Sequence, residues 1–163
     1  MELALVAVAF VAGAIVLLLI VRWLLAQRRL PYRAVDSLLT AAERSFFGVL
    51  VRAADDQTVV FAKVRLADLL WLPPGTKDRQ AHLNKISSKH VDFVLCSRDD
   101  LAPRLIVELD DSSHSRPARR ERDLFLEAAL MAAGLPLLRV PARRAYSPHD
   151  LAETIRALLL KPA

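Results

Sequence analysis

The sequence predicts an α/β domain, a mixed four-stranded sheet flanked by helices, preceded by one transmembrane helix. The first observation is that the apolar residues, 54% of the chain, are concentrated at its start. In the first 26 residues, only Glu2, Gly13 and Arg22 are not apolar. The second is that residues 27–163 then have an ordinary globular composition. The third is the spacing of apolar residues within this part of the chain, which predicts helices and strands in the order α-β-β-β-α-β-α. These observations exclude disorder, a coiled coil and a polytopic membrane protein.

The apolar run at residues 3–21 predicts a membrane anchor. It contains 19 residues without a charge, and as a helix it would span about 28 Å, close to the roughly 30 Å of a bilayer core. A cleaved signal peptide is the competing interpretation, but it expects a basic start and a shorter apolar core. Basic residues flank only the C-terminal side, so the soluble domain is expected in the cytoplasm. We divide the chain into an anchor (1–27), a juxtamembrane linker (28–37) and a domain (38–163).

The first half of the domain is predicted from periodicity and turn chemistry. Leu38–Ala54 has helical spacing, and Thr40 and Glu43 form a capping-box pattern at its start. Thr58–Leu66 is β-branched and apolar, which is typical of a strand, and a short helix is expected at Leu66–Trp71. Residues 72–88 form the longest irregular stretch, which either folds over a site or carries a short helix.

The second half supplies the rest of the sheet. His90–Cys96 and Arg104–Leu109 are predicted as strands joined by a turn, and Leu135–Val140 as a buried strand. Arg119–Ala133 is predicted as a helix that Gly134 stops. Ser147 and Pro148 are typical of an N-cap and a first helical position, so a last helix is expected to run to about Leu160.

Carboxylates on two otherwise apolar strands indicate a site. Asp92 lies within the second strand, and Glu108 and Asp110 share one face of the third because side chains alternate along a strand. If these strands are neighbours, three carboxylates converge, and their repulsion is relieved by a cation. Mg²⁺ or Mn²⁺ with oxygen ligands is the expected cofactor. Such an ion can hold a phosphate and acidify a water.

Four segments carry a resemblance to a known family: Lys89–Leu95 (KHVDFVL), Ile106–His114 (IVELDDSSH), Arg122–Asp123 and Ala133–Arg139 (AGLPLLR). They resemble a bacterial family of unknown function in the restriction-endonuclease-like PD-(D/E)xK superfamily, similar to the very-short-patch repair endonucleases. The resemblance covers about residues 32–160. It implies an αβββαβ core, phosphodiester hydrolysis and, for the anchor, the bacterial inner membrane.

The resemblance also implies roles for individual residues. Asp92 matches the superfamily's metal-binding aspartate, Glu108 the acidic residue of the (D/E)xK motif, and Glu43 the acidic residue of the first helix. The lysine position of that motif is Asp110 here, which departs from the pattern. The very-short-patch branch also lacks the lysine, and His114 parallels its histidine. Lys63 is the better candidate for a relocated lysine, because Lys89 is expected on the opposite face from Asp92.

Arginines follow the acidic motif and are candidate phosphate contacts: Arg116, Arg119, Arg120, Arg122 and Arg139. Structural interpretations remain open beside the functional ones. Glu43 is also the capping-box glutamate, Glu108 and Asp110 also fit ion pairs with arginines, and His114 also fits a loop. Lys63 also fits an exposed strand position, and the arginines of residues 116–122 also fit a solvated helix start. Cys96 is the only cysteine, which excludes an intramolecular disulfide.

The sequence supports two functional hypotheses and one purely structural alternative. The first is a membrane-anchored, Mg²⁺- or Mn²⁺-dependent endonuclease acting on DNA or RNA, with Asp92, Glu108, Asp110 and Glu43 as ligands and Lys63 or His114 assisting. The second is a catalytically inactive module of the same fold that binds nucleic acid or a protein at the membrane. The third is a scaffold whose acidic cluster is an ion-pair network.

Overall fold

The computed structural model describes residues 1–26, 30–110 and 117–160, without the side chains of residues 26 and 117–120. The chain forms two compact units, Met1–Asp36 and Ser37–Ala163. In the first unit, helix α1 runs over Glu2–Ala26. An 18-residue window of this helix has a mean hydropathy of 3.1, so by length and composition the helix is able to cross a membrane.

The second unit is an α/β domain with a mixed four-stranded sheet, as the sequence predicts. Helices α2 (Ala41–Ala53), α3 (Leu66–Leu69), α4 (Arg79–Ser87), α5 (Pro117–Ala132) and α6 (Pro148–Leu159) surround it. Its strands are β1 (Thr58–Arg65), β2 (His90–Ser97), β3 (Pro103–Asp110) and β4 (Leu137–Pro141). For residues 72–88, the sequence left open a segment folded over a site or a short helix, and the structure has a short helix there, α4.

The sheet has the order β1-β2-β3-β4. The first three strands form an antiparallel meander, and β4 pairs parallel to β3 after the crossover through α5. The last strand begins two residues later than predicted. Leu135 and Pro136 instead belong to the turn that follows Gly134, whose φ of 68° is readily adopted only by glycine.

Each face of the sheet is covered by a separate core. Helices α2 and α6 pack on one face around Phe46, Phe93 and Leu105, all with no exposed surface. Helices α3, α4 and α5 pack on the other face around Leu66 and Ile106. Residues on the two sides of a strand therefore contact different helices.

The structure has N-terminal helix caps at the two positions that the sequence predicts. Thr40 Oγ1 accepts from the Glu43 amide at 3.3 Å, and Glu43 Oε2 accepts from the Thr40 amide at 2.9 Å, which completes a capping box. Ser147 caps α6 through the Asp150 amide at 3.3 Å.

Candidate functional site

Asp92 and Glu108 lie side by side on the neighbouring strands β2 and β3. The register pairs Phe93 with Val107, so the two acidic residues come next to each other on the antiparallel ladder. The Asp92 amide donates to Glu108 Oε1 at 3.3 Å, and the Leu109 amide donates to Asp92 Oδ2 at 3.1 Å. These contacts fix both carboxylates in one orientation at the end of the strand pair.

Lys63 joins this pair to the first helix of the domain. Its Nζ lies 2.6 Å from Glu43 Oε1 and 2.9 Å from Asp92 Oδ1. Side-chain exposure is only 29% for Lys63, 14% for Glu43 and 18% for Asp92, so water screens these ion pairs weakly. The fold thus brings together three of the residues that the sequence selected.

The backbone of Lys63 is unusual for a strand. Its φ is 56°, in the left-handed region that a residue with a Cβ avoids at a cost of about 1–2 kcal/mol. The neighbouring positions Ala62 and Val64 pair normally with Phe93 and Val91. A local distortion of the strand therefore accompanies the Lys63 ammonium's contacts with both carboxylates.

Glu43 combines the capping role and the site role that the sequence left open. Its Oε2 accepts from the Thr40 amide, while its Oε1 accepts from Lys63 Nζ. The two oxygens thus serve two partners at once. The start of α2 is tied directly to the polar end of the sheet.

Burial and charge shift the protonation equilibria in different directions. Burial alone would lower the pKa of Lys63, but its bonds to Glu43 and Asp92 outweigh it and raise that pKa. Burial also opposes ionisation of Glu43, and the bonds from Lys63 and Thr40 outweigh it, so the pKa of Glu43 is lowered. For Glu108, burial first and the neighbouring charge of Asp92 second raise the pKa to about 7.

An open cleft of about 400 Å³ is lined by Glu43, Asp92 and Glu108 and lies between the start of α2, the ends of β3 and β4, and α5. Asp110 lies at the exposed end of β3 and lines this cleft with the others. Among the described residues, no three His, Cys, Asp or Glu side chains form a group arranged to hold a metal ion. The charged residues that line the cleft are nevertheless mostly acidic: five carboxylates, Glu43, Asp92, Glu108, Asp110 and Asp123, face two arginines, Arg122 and Arg139.

Of the predicted phosphate-binding arginines, Arg122 and Arg139 line the cleft. Arg139 Nε donates to Glu127 Oε1 at 2.9 Å, and its Nη2 lies 3.8 Å from Asp123 Oδ1. Nη2 is buried without a hydrogen-bond partner among the described residues. Arg119 and Arg120 belong to α5 but their side chains are not described, and His114 and Arg116 lie outside the described residues.

Asp123 and Glu127 bond to Arg139, although Asp123 was named from the sequence only as part of a family motif, without a role, and Glu127 was not selected. They lie one helical turn apart on α5, so both reach Arg139 on β4. Their four-residue spacing on a predicted helix was visible, but their partner was not, because it depends on how α5 packs on the sheet. Lys89 lines a separate depression rather than this cleft.

The sequence model of a family described as "Protein of unknown function (DUF2726)" matches residues 35–158, most of the chain. No curated protein and no solved structure matches. The chain therefore belongs to the DUF2726 family of proteins of unknown function.

Proposed function

We propose that this member of the DUF2726 family is a metal-dependent nuclease that hydrolyses DNA or RNA phosphodiester bonds. In this proposal, α1 anchors the protein in the inner membrane of a bacterium, with the nuclease domain in the cytoplasm. One observation carries the proposal: Asp92 and Glu108 line a single open cleft at the polar end of β2 and β3, and the Lys63 ammonium bonds directly to Asp92. An acidic pair and a lysine are the groups that the restriction-endonuclease-like superfamily uses.

The order of elements supports a restriction-endonuclease-like fold. Omitting α3 and α4, the domain reads α2-β1-β2-β3-α5-β4, which is the αβββαβ order of that superfamily, followed by α6. The antiparallel meander and the parallel fourth strand agree with the mixed sheet expected for it.

The donor set of the cleft fits a hard divalent cation. Asp92 and Glu108 offer carboxylate oxygens side by side, and Asp110 is exposed nearby. Mg²⁺ is commonly held by one or two carboxylates, with water and substrate phosphate completing its shell, so a cage of three carboxylates is not required. The pKa of Glu108, raised first by burial and second by the charge of Asp92, is compatible with this, because a bound cation would favour the ionised form against both effects. Mg²⁺ or Mn²⁺ bound there would polarise the phosphate and acidify a water.

Lys63 supplies the positive charge that Asp110 cannot. Its pKa is raised, so its ammonium stays protonated at neutral pH and acts as a cation rather than as a base. It orients Asp92 through Oδ1, and since two of its three N–H groups donate to Glu43 and Asp92, one is left to donate to a phosphate oxygen. The proposal thus assigns Lys63 the role of the lysine missing from position 110. His114, outside the described residues, remains the other candidate for assistance.

One observation favours a second function, a catalytically inactive module of the same fold that binds nucleic acid or a protein partner. The Lys63 ammonium already pairs with both Glu43 and Asp92, at 2.6 and 2.9 Å, and offsets one of their two negative charges. If this ion-pair network is permanent, the cleft has less need for a metal ion. Binding would then survive removal of the carboxylates, whereas hydrolysis would not.

A cleavage assay separates the two functions. The full-length chain in mild detergent is incubated with labelled single-stranded DNA, duplex DNA and RNA, with Mg²⁺, with Mn²⁺ or with EDTA. The variants are Asp92→Asn and Glu108→Gln. The matched control is Asp56→Asn, which makes the same change at an exposed turn residue before β1.

For a nuclease, cleavage requires the metal, and each site variant lowers its rate about a hundred-fold or more, since a metal ion contributes several kcal/mol to the transition state. The Asp56→Asn control keeps the wild-type rate. A wild type that cleaves no more than an Asp92→Asn/Glu108→Gln double variant contradicts hydrolysis of those substrates. Calorimetric titration with Mn²⁺ tests the metal site without any substrate.

A further inference from the structure

A second depression, of about 420 Å³, lies beside the acidic cleft between the end of α4 and the first half of α5. It is lined by three cations, one carboxylate, a serine and an aromatic ring: Lys85, Lys89, Arg122, Glu121, Ser88 and Phe125. We call Lys85, Lys89 and Arg122 the basic patch. Its net charge is opposite in sign to that of the cleft.

The central cation of the basic patch is held in place. Lys89 Nζ donates to the Lys85 carbonyl oxygen at 2.6 Å, at the C-terminal end of α4. The same ammonium lies 5.0 Å from the centre of the Phe125 ring, within the range of a cation–π contact. No ion pair between described residues involves Lys85, Lys89 or Arg122. A set of cations without carboxylate partners among these residues, one of them held in place, suits an external polyanion.

A third depression, which we call the aromatic groove, follows along α5. It also measures about 420 Å³, and its walls are apolar, with Trp71, Phe125 and Ala129 among them. Trp71 is 76% exposed, which is unusual for the largest apolar side chain. An exposed indole offers a face on which a nucleobase can stack.

Shared walls connect the three depressions in sequence along α5. Arg122 lines both the acidic cleft and the basic patch, and Phe125 lines both the basic patch and the aromatic groove. From Arg122 to Ala132, α5 advances about 15 Å. A ligand leaving the cleft would therefore meet positive charge first and an aromatic surface next.

We infer that the basic patch and the aromatic groove bind a single-stranded nucleic acid, with backbone phosphates on Lys85, Lys89 and Arg122 and an unpaired base on Trp71. Positive grooves combined with exposed aromatic rings are the recurring means of binding single strands. A duplex keeps its bases stacked on each other and cannot offer one to Trp71. The inference rests on the proposed function, since it names the substrate class that the cleft would cut.

The test measures binding separately from cleavage. The full-length chain in detergent is titrated in EDTA against a labelled 30-nucleotide single strand of DNA, the same RNA strand and the DNA duplex, at several salt concentrations. The patch variants are Lys85→Glu and Lys85→Glu/Lys89→Glu. The matched control, Arg52→Glu/Arg156→Glu, makes the same charge change at exposed positions of α2 and α6, the helices on the other face of the sheet. Trp71→Ala removes the stacking surface, and Trp71→Phe keeps an aromatic ring.

The inference expects the wild type to bind a single strand of DNA or RNA more tightly than the duplex. The double patch variant should bind about ten-fold or more weakly than its control, with a salt slope reduced by roughly 1.4, since each phosphate contact contributes about 0.7. Trp71→Ala should weaken binding about five-fold or more, and Trp71→Phe should restore most of it. Circular dichroism checks that each variant is folded.

Equal binding by the double patch variant and its control overturns the inference, as does duplex binding as tight as that of the single strand. These failures are distinguishable from failure of the proposed function. Single-strand binding that depends on the basic patch, without any metal-dependent cleavage, supports the binding surface and contradicts hydrolysis alone. Cleavage that depends on Asp92 but not on Lys85, Lys89 or Trp71 overturns the binding surface alone.

Discussion

Replacing Glu108 with glutamine should stabilise the domain at alkaline pH. Glu108 is largely buried beside Asp92, and this environment raises its pKa to about 7 from an ordinary 4.5. The folded state therefore penalises the ionised form. Glutamine keeps an Oε1 that can still accept from the Asp92 amide, at the 3.3 Å contact of the wild type, but it carries no charge.

The size and the pH window of this effect follow from the two pKa values. A carboxyl group whose pKa is raised by folding favours the folded state fully below pH 4.5, and this contribution is lost as the pH rises towards 7. At 1.36 kcal/mol for each pKa unit, the full penalty is roughly 3 kcal/mol, of which most develops between pH 5 and pH 8. Relative to the wild type, Glu108→Gln should gain about 2–3 kcal/mol over that interval.

The assay is urea unfolding of the full-length wild type and Glu108→Gln in detergent and EDTA, at pH 5 and pH 8, followed by circular dichroism. Glu121→Gln, at an exposed position of α5, is the matched control and should show no such pH-dependent difference. The difference in the free energy of unfolding between Glu108→Gln and the wild type should widen with pH. A difference that is constant from pH 5 to pH 8, or a variant less stable than the wild type at pH 8, refutes the reasoning.

Three further changes test the surroundings of the site by urea unfolding. Lys63→Met leaves Glu43 and Asp92 without their cation and should lower the free energy of unfolding by about 2 kcal/mol at pH 8. Because the pKa of Glu43 is lowered in the wild type, this loss should shrink towards pH 4, where the carboxylates become protonated. A loss that does not depend on pH would contradict the ion-pair account. Thr40→Ala removes the cap of α2 and should cost about 1 kcal/mol, so an unchanged midpoint would contradict the capping box. Gly134→Ala should cost about 1 kcal/mol from its positive φ alone, because an added Cβ would meet no atom within 4 Å; wild-type stability would contradict this.

Local features were predictable because their causes lie within a few residues. The capping box of Thr40 and Glu43 spans four residues, and the cap and first position of α6 are adjacent, so each was visible in the sequence. The turn at Gly134 was predicted as a helix stop. The start of β4 was less accurate, since apolar Leu135 looks like a strand residue although it belongs to the turn.

The choice of acidic site residues was also within reach of the sequence, because a carboxylate between apolar strand residues is unusual. Asp92 and Glu108 were selected on that ground, and the register of β2 and β3 brings them together. Lys63 was predicted as the relocated lysine of the site, but its simultaneous bonds to Glu43 and Asp92 were not predictable. Alternation along β1 treats it as an ordinary strand position, and only the structure shows its φ of 56°.

The sequence by itself determined the apolar N-terminal helix, the order of helices and strands, and the residue types that a polar site would use. These depend on composition, periodicity and capping, which act over short separations along the chain. The tertiary structure alone decided that Lys63 bonds to Glu43, 20 residues before it, and to Asp92, 29 residues after it. It also decided that Arg139 joins β4 to α5. Such pairings follow from strand register and from helix packing on each face, and no local pattern encodes them.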